Sequence, residues 1–101
     1  METEVLTVTS PDDDRLEHAG ALIREGGLVV FPTETVYGLG GDATNAAASR
    51  KIYQAKGRPS DNPLIIHVAF PEDAEKYART DRLYYRLARA FMPGPLTVIM
   101  P

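Results

Sequence analysis

Apolar residues recur along the chain at two spacings, one typical of strands and one typical of helices. Residues 28–31 and 64–68 are short and almost continuously apolar, as expected of strands covered on both faces. Residues 5–8 and 96–100 are further candidate strands. Between these runs, three segments carry apolar residues at helical spacing. Strands that alternate with helices predict an α/β or α+β fold, with helices on the faces of a sheet.

Capping residues predict where the first two helices begin and end. Ser10 and Pro11 are a cap and a first helical residue, and Gly26-Gly27 is a stop. Asn45 or Thr44 caps a second helix, which ends before residues 57–59. The apolar stripe of the first helix comprises Leu16, Ala19, Gly20 and Ile23, and that of the second comprises Ala48, Ile52 and Ala55.

A third helix is predicted from Asp81, after a short helical turn that opens at Pro71. It ends at residues 92–95, where two prolines and a glycine interrupt it. Its inward residues are Leu83, Tyr84, Leu87, Ala88 and Phe91, and its other face carries Arg82, Arg86 and Arg89. Amphipathic helices routinely carry such charges, so this arginine row is interpreted as a solvated face.

Composition limits the classes of function. A chain of 101 residues with 44% hydrophobic content forms one domain at most. The lack of cysteine removes disulfides and thiolate catalysis, and it fits a reducing cytosol. Because the chain begins without a basic region or a long apolar run, we predict a soluble cytoplasmic protein and no membrane partner.

Charge is distributed unevenly. The net charge of -3 argues against a generic nucleic-acid coat. Residues 50–58, however, contain four cations and no acid. Within them, Lys56 and Arg58 offer a point charge and a bidentate fork to a phosphate. A solvated helix C-terminus, at which cations complement the helix dipole, explains the same spacing. A phosphate site and a solvated helix end therefore both stay open as interpretations.

Polar residues follow the apolar run 28–31 at the point where α/β folds place ligand contacts. They are Thr33, Glu34, Thr35 and Tyr37, and their alternative role is to cap the loop backbone. Gly38, Leu39, Gly40 and Gly41 come next and are interpreted as turn residues. Neither a Walker motif nor G-x-G-x-x-G occurs, so nucleotide binding would need another construction.

Two more polar residues are candidates. Asn62 precedes Pro63, and its side chain either hydrogen-bonds to the backbone of a turn or contacts a phosphate or ribose. His67 lies in the predicted strand 64–68, where a lone histidine is more often structural than catalytic. No second histidine or carboxylate is spaced to join it, so no metal cage built by protein ligands is predicted.

Three strings together resemble the YrdC-like threonylcarbamoyl-AMP synthases: FPTETVYGLG at 31–40, KGRPSDNPL at 56–64 and PGPLT at 93–97. The resemblance implies a YrdC-like twisted mixed β-sheet flanked by helices. It implies a nucleotidyltransferase that makes L-threonylcarbamoyladenylate and pyrophosphate from L-threonine, bicarbonate and ATP, with Mg²⁺ accompanying the ATP. The product serves tRNA modification, so tRNA or double-stranded RNA and other tRNA threonylcarbamoylation proteins are the implied partners.

Position by position, the resemblance assigns Lys56 and Arg58 to catalysis and ATP binding, Asn62 to ATP, and Thr35 and His67 to L-threonine. Family catalytic domains are about twice as long and carry a downstream S-x-N element that this chain lacks. We therefore expect residues 1–101 to be the N-terminal half of such a domain, with a sheet incomplete at the C-terminus. Two alternatives stay open: an RNA-binding module without catalysis, and a carbamoyl-adenylate module of the hydrogenase-maturation kind.

Overall fold

A computed structural model of the chain describes residues 2–57 and 63–101. The chain divides into two units, Met1–Asn62 and Pro63–Pro101, and each is described by itself. The first contains α1 (Arg15–Arg24), β1 (Val29–Phe31), β2 (Gly38–Gly40) and α2 (Ala46–Lys56). The second contains a 3₁₀ helix (Pro71–Lys76) and α3 (Arg82–Phe91). Helices combined with a β-sheet confirm the predicted α/β (α+β) class.

Helix α1 begins later than its capping signals predict. Ser10 does accept a local backbone N–H, from Asp12 at 3.2 Å, but residues 11–14 form turns before Arg15. The Arg15 guanidinium donates to both carboxylate oxygens of Asp13, and this hydrogen bonding lowers the pKa of Asp13. The predicted stop is confirmed, because Gly26 has a φ of 90° and the Gly27 N–H bonds back to the Leu22 carbonyl at 2.8 Å.

Strands β1 and β2 form an antiparallel hairpin in which Val30 pairs with Leu39 and Phe31 with Gly38. The prediction of a turn at residues 38–41 is wrong, because three of them are in β2. Glycine is required here for close approach. A Cβ at Gly40 would lie 2.8 Å from the Phe31 ring, and one at Gly38 would lie 3.1 Å from it. The Phe31 ring therefore packs against the backbone of β2 at a distance that only glycine, which has no Cβ, allows.

Helix α2 follows the sequence signals closely. The Asn45 side chain accepts the N–H groups of Ala47 and Ala48, at 3.0 and 3.3 Å, which confirms it as the cap. Gly57 ends the helix in the left-handed conformation, with a φ of 63°. Lys51, in the middle of α2, donates to the Gly26 carbonyl at 3.0 Å and so ties α2 to the turn before β1.

Removal of the α2 cap is expected to destabilise the first unit. In Asn45→Ala two N–H groups at the start of α2 lose their acceptor, which costs about 0.5 to 2 kcal/mol of unfolding free energy. Asn45→Asp keeps the accepting oxygen and is the matched control, with a loss of about a few tenths of a kcal/mol. Urea unfolding followed by circular dichroism measures both. Equal losses in the two variants would show that the cap does not stabilise α2.

The second unit is built around α3. Asp81 caps it by accepting the Tyr84 N–H at 2.8 Å. Tyr84 is buried, and its hydroxyl donates to the Pro71 carbonyl at 2.6 Å, which links α3 to the predicted turn at Pro71. Tyr85 donates to the Glu75 carboxylate, and this hydrogen bond raises the pKa of Tyr85. Both predicted helical elements of this unit are therefore confirmed.

Burial is sparser than the apolar pattern predicts. Among the described residues, the buried apolar ones are Ala48, Ile52, Ala74, Tyr84 and Ala88. The residues predicted to face inward that are exposed instead are Leu16, Ala55, Leu83 and Phe91, and α1 has no fully buried residue. The predicted solvated face of α3 is confirmed, because Arg82, Arg86 and Arg89 are all exposed.

Several predicted strands do not form. In the described residues the sheet has two strands, and residues 5–8, 64–68 and 96–100 are irregular. A strand needs a hydrogen-bonding neighbour, and these apolar runs pair with none there. Ile65 is 64% exposed and Ile99 is 96% exposed, so neither run is covered on both faces as predicted. Val30 is also exposed, so the same correction applies to β1.

No helix within residues 2–57 and 63–101 has both the length and the apolar character that crossing a membrane requires.

Candidate functional site

The loop between β1 and β2, residues 32–37, surrounds a depression of about 220 Å³. We call it the hairpin loop. The lining side chains are Pro32, Thr33, Thr35, Val36 and Tyr37. They follow directly from β1, because Pro32 lacks the N–H that would continue the strand ladder. The predicted placement of polar groups just beyond this strand is therefore confirmed.

Thr33 organises the backbone of the hairpin loop. Its Oγ1 accepts the N–H of Thr35 at 3.3 Å and the N–H of Val36 at 3.2 Å. Its hydroxyl donates to the Val36 carbonyl. The Thr35 hydroxyl lies 3.4 Å from the same oxygen. For Thr33 the capping role, weighed above as an alternative to ligand binding, is thus the one that the structure supports.

The depression combines hydroxyls with apolar surface. Val36 and Tyr37 are 72% and 76% exposed and contribute apolar surface to the depression. Beside them, Thr35 presents a hydroxyl that a small polar ligand could contact. Apolar surface with a few polar groups is the usual lining of a small-molecule site.

A second polar turn joins β2 to α2. Asp42 accepts the Thr44 hydroxyl at 2.6 Å and the Thr44 N–H at 2.8 Å. The hydroxyl and the backbone N–H both lower the pKa of the Asp42 carboxyl. Asp42 is therefore an ionised turn residue, and its accepting oxygen is directed at its own backbone.

Lys56 is the last residue of α2 and is exposed. Gly57 follows it in a left-handed conformation that ends the helix. The predicted location of this cation at the exit of the second helix is therefore confirmed. Its contact with a phosphate remains a prediction.

The other candidate residues are Arg58, Asn62 and His67. Arg58 and Asn62 fall outside the described residues. His67 lies in the second unit, in an exposed and irregular segment rather than in the predicted strand. Within residues 2–57 and 63–101 no group of three histidine or carboxylate side chains could hold a metal ion.

Two contributors were not singled out from the sequence: the exposed Val36, and Thr33 as the hydrogen-bonding centre of its loop. The signal for Thr33 is its place immediately after a proline that ends a strand. There, a threonine hydroxyl commonly bonds to the backbone two or three residues on.

Comparison with known proteins decides the family. Residues 21–101 match the Sua5/YciO/YrdC family, whose description is "Telomere recombination". The chain belongs to this family. It is 47% identical over 97% of its length to a threonylcarbamoyl-AMP synthase of Bacillus subtilis, and 51% identical over 86% to one of Pyrococcus abyssi.

A solved member of the Sua5/YciO/YrdC family shares the fold. The crystal structure of Pyrococcus abyssi Sua5 complexed with L-threonine matches 80% of this chain with a TM-score of 0.76 and 51% identity. The resemblance stated from the three sequence strings is thereby confirmed. This chain spans 29% and 26% of the two curated relatives and 24% of the solved chain.

Proposed function

We propose that this chain carries substrate-binding residues of a threonylcarbamoyl-AMP synthase. The reaction joins L-threonine and bicarbonate as a carbamate, whose oxygen attacks the α-phosphorus of ATP. Threonylcarbamoyl-adenylate forms and pyrophosphate leaves, with one water released overall. On this proposal residues 1–101 correspond to the N-terminal half of the catalytic domain.

The observation that supports this proposal most is similarity that runs through nearly the whole chain. At 47% identity over 97% of its length to a threonylcarbamoyl-AMP synthase, the likeness includes the hairpin loop and the end of α2. A relative of 51% identity has been solved with L-threonine bound. The hydroxyls and exposed apolar side chains of the hairpin loop suit such a ligand.

Lys56 and Arg58 are proposed to bind the triphosphate and to act in catalysis, with Asn62 as a further contact to ATP. Little covalent chemistry falls to the protein in this reaction, so its contribution is positional and electrostatic. Cations held beside the phosphates offset the charge that develops as pyrophosphate leaves. The exposed position of Lys56 at the end of α2 leaves its ammonium group accessible to such a ligand.

Thr35 and His67 are proposed to bind L-threonine. The Thr35 hydroxyl lines the depression of the hairpin loop. The His67 imidazole has ring nitrogens that can donate or accept a hydrogen bond. The Thr35 hydroxyl would recognise a polar group of the amino acid, while Val36 covers apolar surface nearby.

The remaining participants belong to the same proposal. ATP would enter with Mg²⁺, which is bound mainly through phosphates and water and is therefore part of the substrate. The product would pass, in the cytoplasm, to other tRNA threonylcarbamoylation proteins that act on tRNA.

Calorimetry with the 101-residue chain tests the proposal. We expect heat of binding from L-threonine and, separately, from MgATP, and a weaker response to L-valine, which lacks the hydroxyl but keeps the branched shape. A pyrophosphate-release assay with all three substrates then asks whether this length of chain also turns over. Absence of binding by both L-threonine and MgATP would contradict the proposal. Salt-dependent binding of RNA without ATP, with no response to either small molecule, would instead identify an RNA-binding module.

A further inference from the structure

The Thr33 hydroxyl is the centre of the hydrogen bonds within the hairpin loop. Its single hydroxyl contacts the backbone of two later residues and the side chain of one of them. Although Thr33 is exposed, its hydroxyl bonds to other atoms of the hairpin loop. The hydroxyl therefore stabilises the conformation of the loop.

The hydrogen bonds of Thr33 determine how Thr35 can bond. A hydroxyl has one proton, and that of Thr33 is donated to the Val36 carbonyl. The two lone pairs of Thr33 Oγ1 already accept the N–H groups of Thr35 and Val36. The Thr35 hydroxyl, at the long distance of 3.4 Å, therefore stays available to donate to or accept from a ligand in the depression.

The same oxygen also holds the Thr35 backbone. It accepts the N–H of Thr35 at 3.3 Å and that of Val36 at 3.2 Å, which restricts the backbone on both sides of the Thr35 Cα. A side chain held in this way loses less conformational freedom when a ligand binds. Removal of the Thr33 hydroxyl would release the backbone on both sides of Thr35.

We propose that Thr33 is a positioning residue that holds Thr35 so that its hydroxyl can hydrogen-bond to a polar group of the amino-acid substrate. This rests on the proposed function, in which Thr35 binds L-threonine.

Substitution at Thr33 tests the assignment by calorimetry with L-threonine on the 101-residue chain. Thr33→Val keeps the branched shape without the hydroxyl, and we expect binding about tenfold weaker. Thr33→Ser restores the hydroxyl and should bind within about twofold of the unmodified chain. In ligand-free Thr33→Val, hydrogen exchange by NMR should show a faster Val36 amide. Thr44→Val is the matched control, because it removes another threonine hydroxyl bonded in a local turn.

The outcomes separate this assignment from the function on which it rests. If the unmodified chain binds L-threonine and Thr33→Val binds it equally well, Thr33 does not position the substrate contact. If Thr33→Ser is as weak as Thr33→Val, the hydroxyl is not the cause, and the assignment is overturned. If the unmodified chain does not bind L-threonine at all, the proposed L-threonine site fails and takes the substrate role of Thr33 with it.

Discussion

Lys56→Ala is expected to weaken MgATP binding to the 101-residue chain by about 10- to 100-fold, the range expected when a hydrogen bond to a charged group is lost. Lys56 ends α2, its side chain is exposed, and Gly57 stops the helix directly after it. On the proposed function its ammonium group bonds to phosphate oxygens. Isothermal titration with MgATP measures the loss, and L-threonine binding should remain within about twofold because the amino acid presents no phosphate.

The control for Lys56 is a cation on the same helix. Arg50 is also exposed on α2, and Arg50→Ala removes one positive charge without touching the helix end. A general electrostatic effect would weaken MgATP binding equally in both variants. If Lys56 only complements the helix dipole, Lys56→Ala would instead lower the stability by about 0.3 to 1 kcal/mol, with no change in the affinity for MgATP. Either result would remove Lys56 from the nucleotide site.

The ends of α2 and the start of α3 were predictable because their signals are local. Asn45 and Asp81 each accept a backbone N–H at the start of a helix, and Gly57 supplies the left-handed residue at an end. Such contacts span two or three residues, so a short stretch of sequence is enough to predict them. The location of Lys56 follows from the same signals.

Strand β2 was missed because its cause is not local. Gly38, Leu39 and Gly40 have little intrinsic preference for a strand. They form one because they pair with β1, and glycine fits there because the Phe31 ring on the partner strand would crowd a Cβ at Gly38 or Gly40. The opposite error affected residues 64–68 and 96–100, where apolar composition predicted strands without a partner to complete them.

The candidate site was predictable in part. Of the polar residues after β1, Thr33, Thr35 and Tyr37 line one depression, as a strand followed by polar residues indicates, but Glu34 does not. The hydrogen-bond directions inside that loop were not predictable, since a threonine can donate, accept or do both. Atomic positions were required to show that the Thr33 hydroxyl, which also lines the depression, bonds to the loop backbone.

Tyr84→Ala is expected to cost about 3 to 5 kcal/mol of stability in the second unit, as for other large core residues. Tyr84 is 3% exposed, and its hydroxyl donates to the Pro71 carbonyl at 2.6 Å. Tyr84→Phe removes only that hydrogen bond and should cost about 0.5 to 1.5 kcal/mol. Hydrogen exchange of the α3 amides measures both, with Tyr77→Phe, at a 46% exposed tyrosine, as a control expected to change by less than about 0.5 kcal/mol. If Tyr84→Ala matched this control, burial of the ring would not be what holds α3 in place.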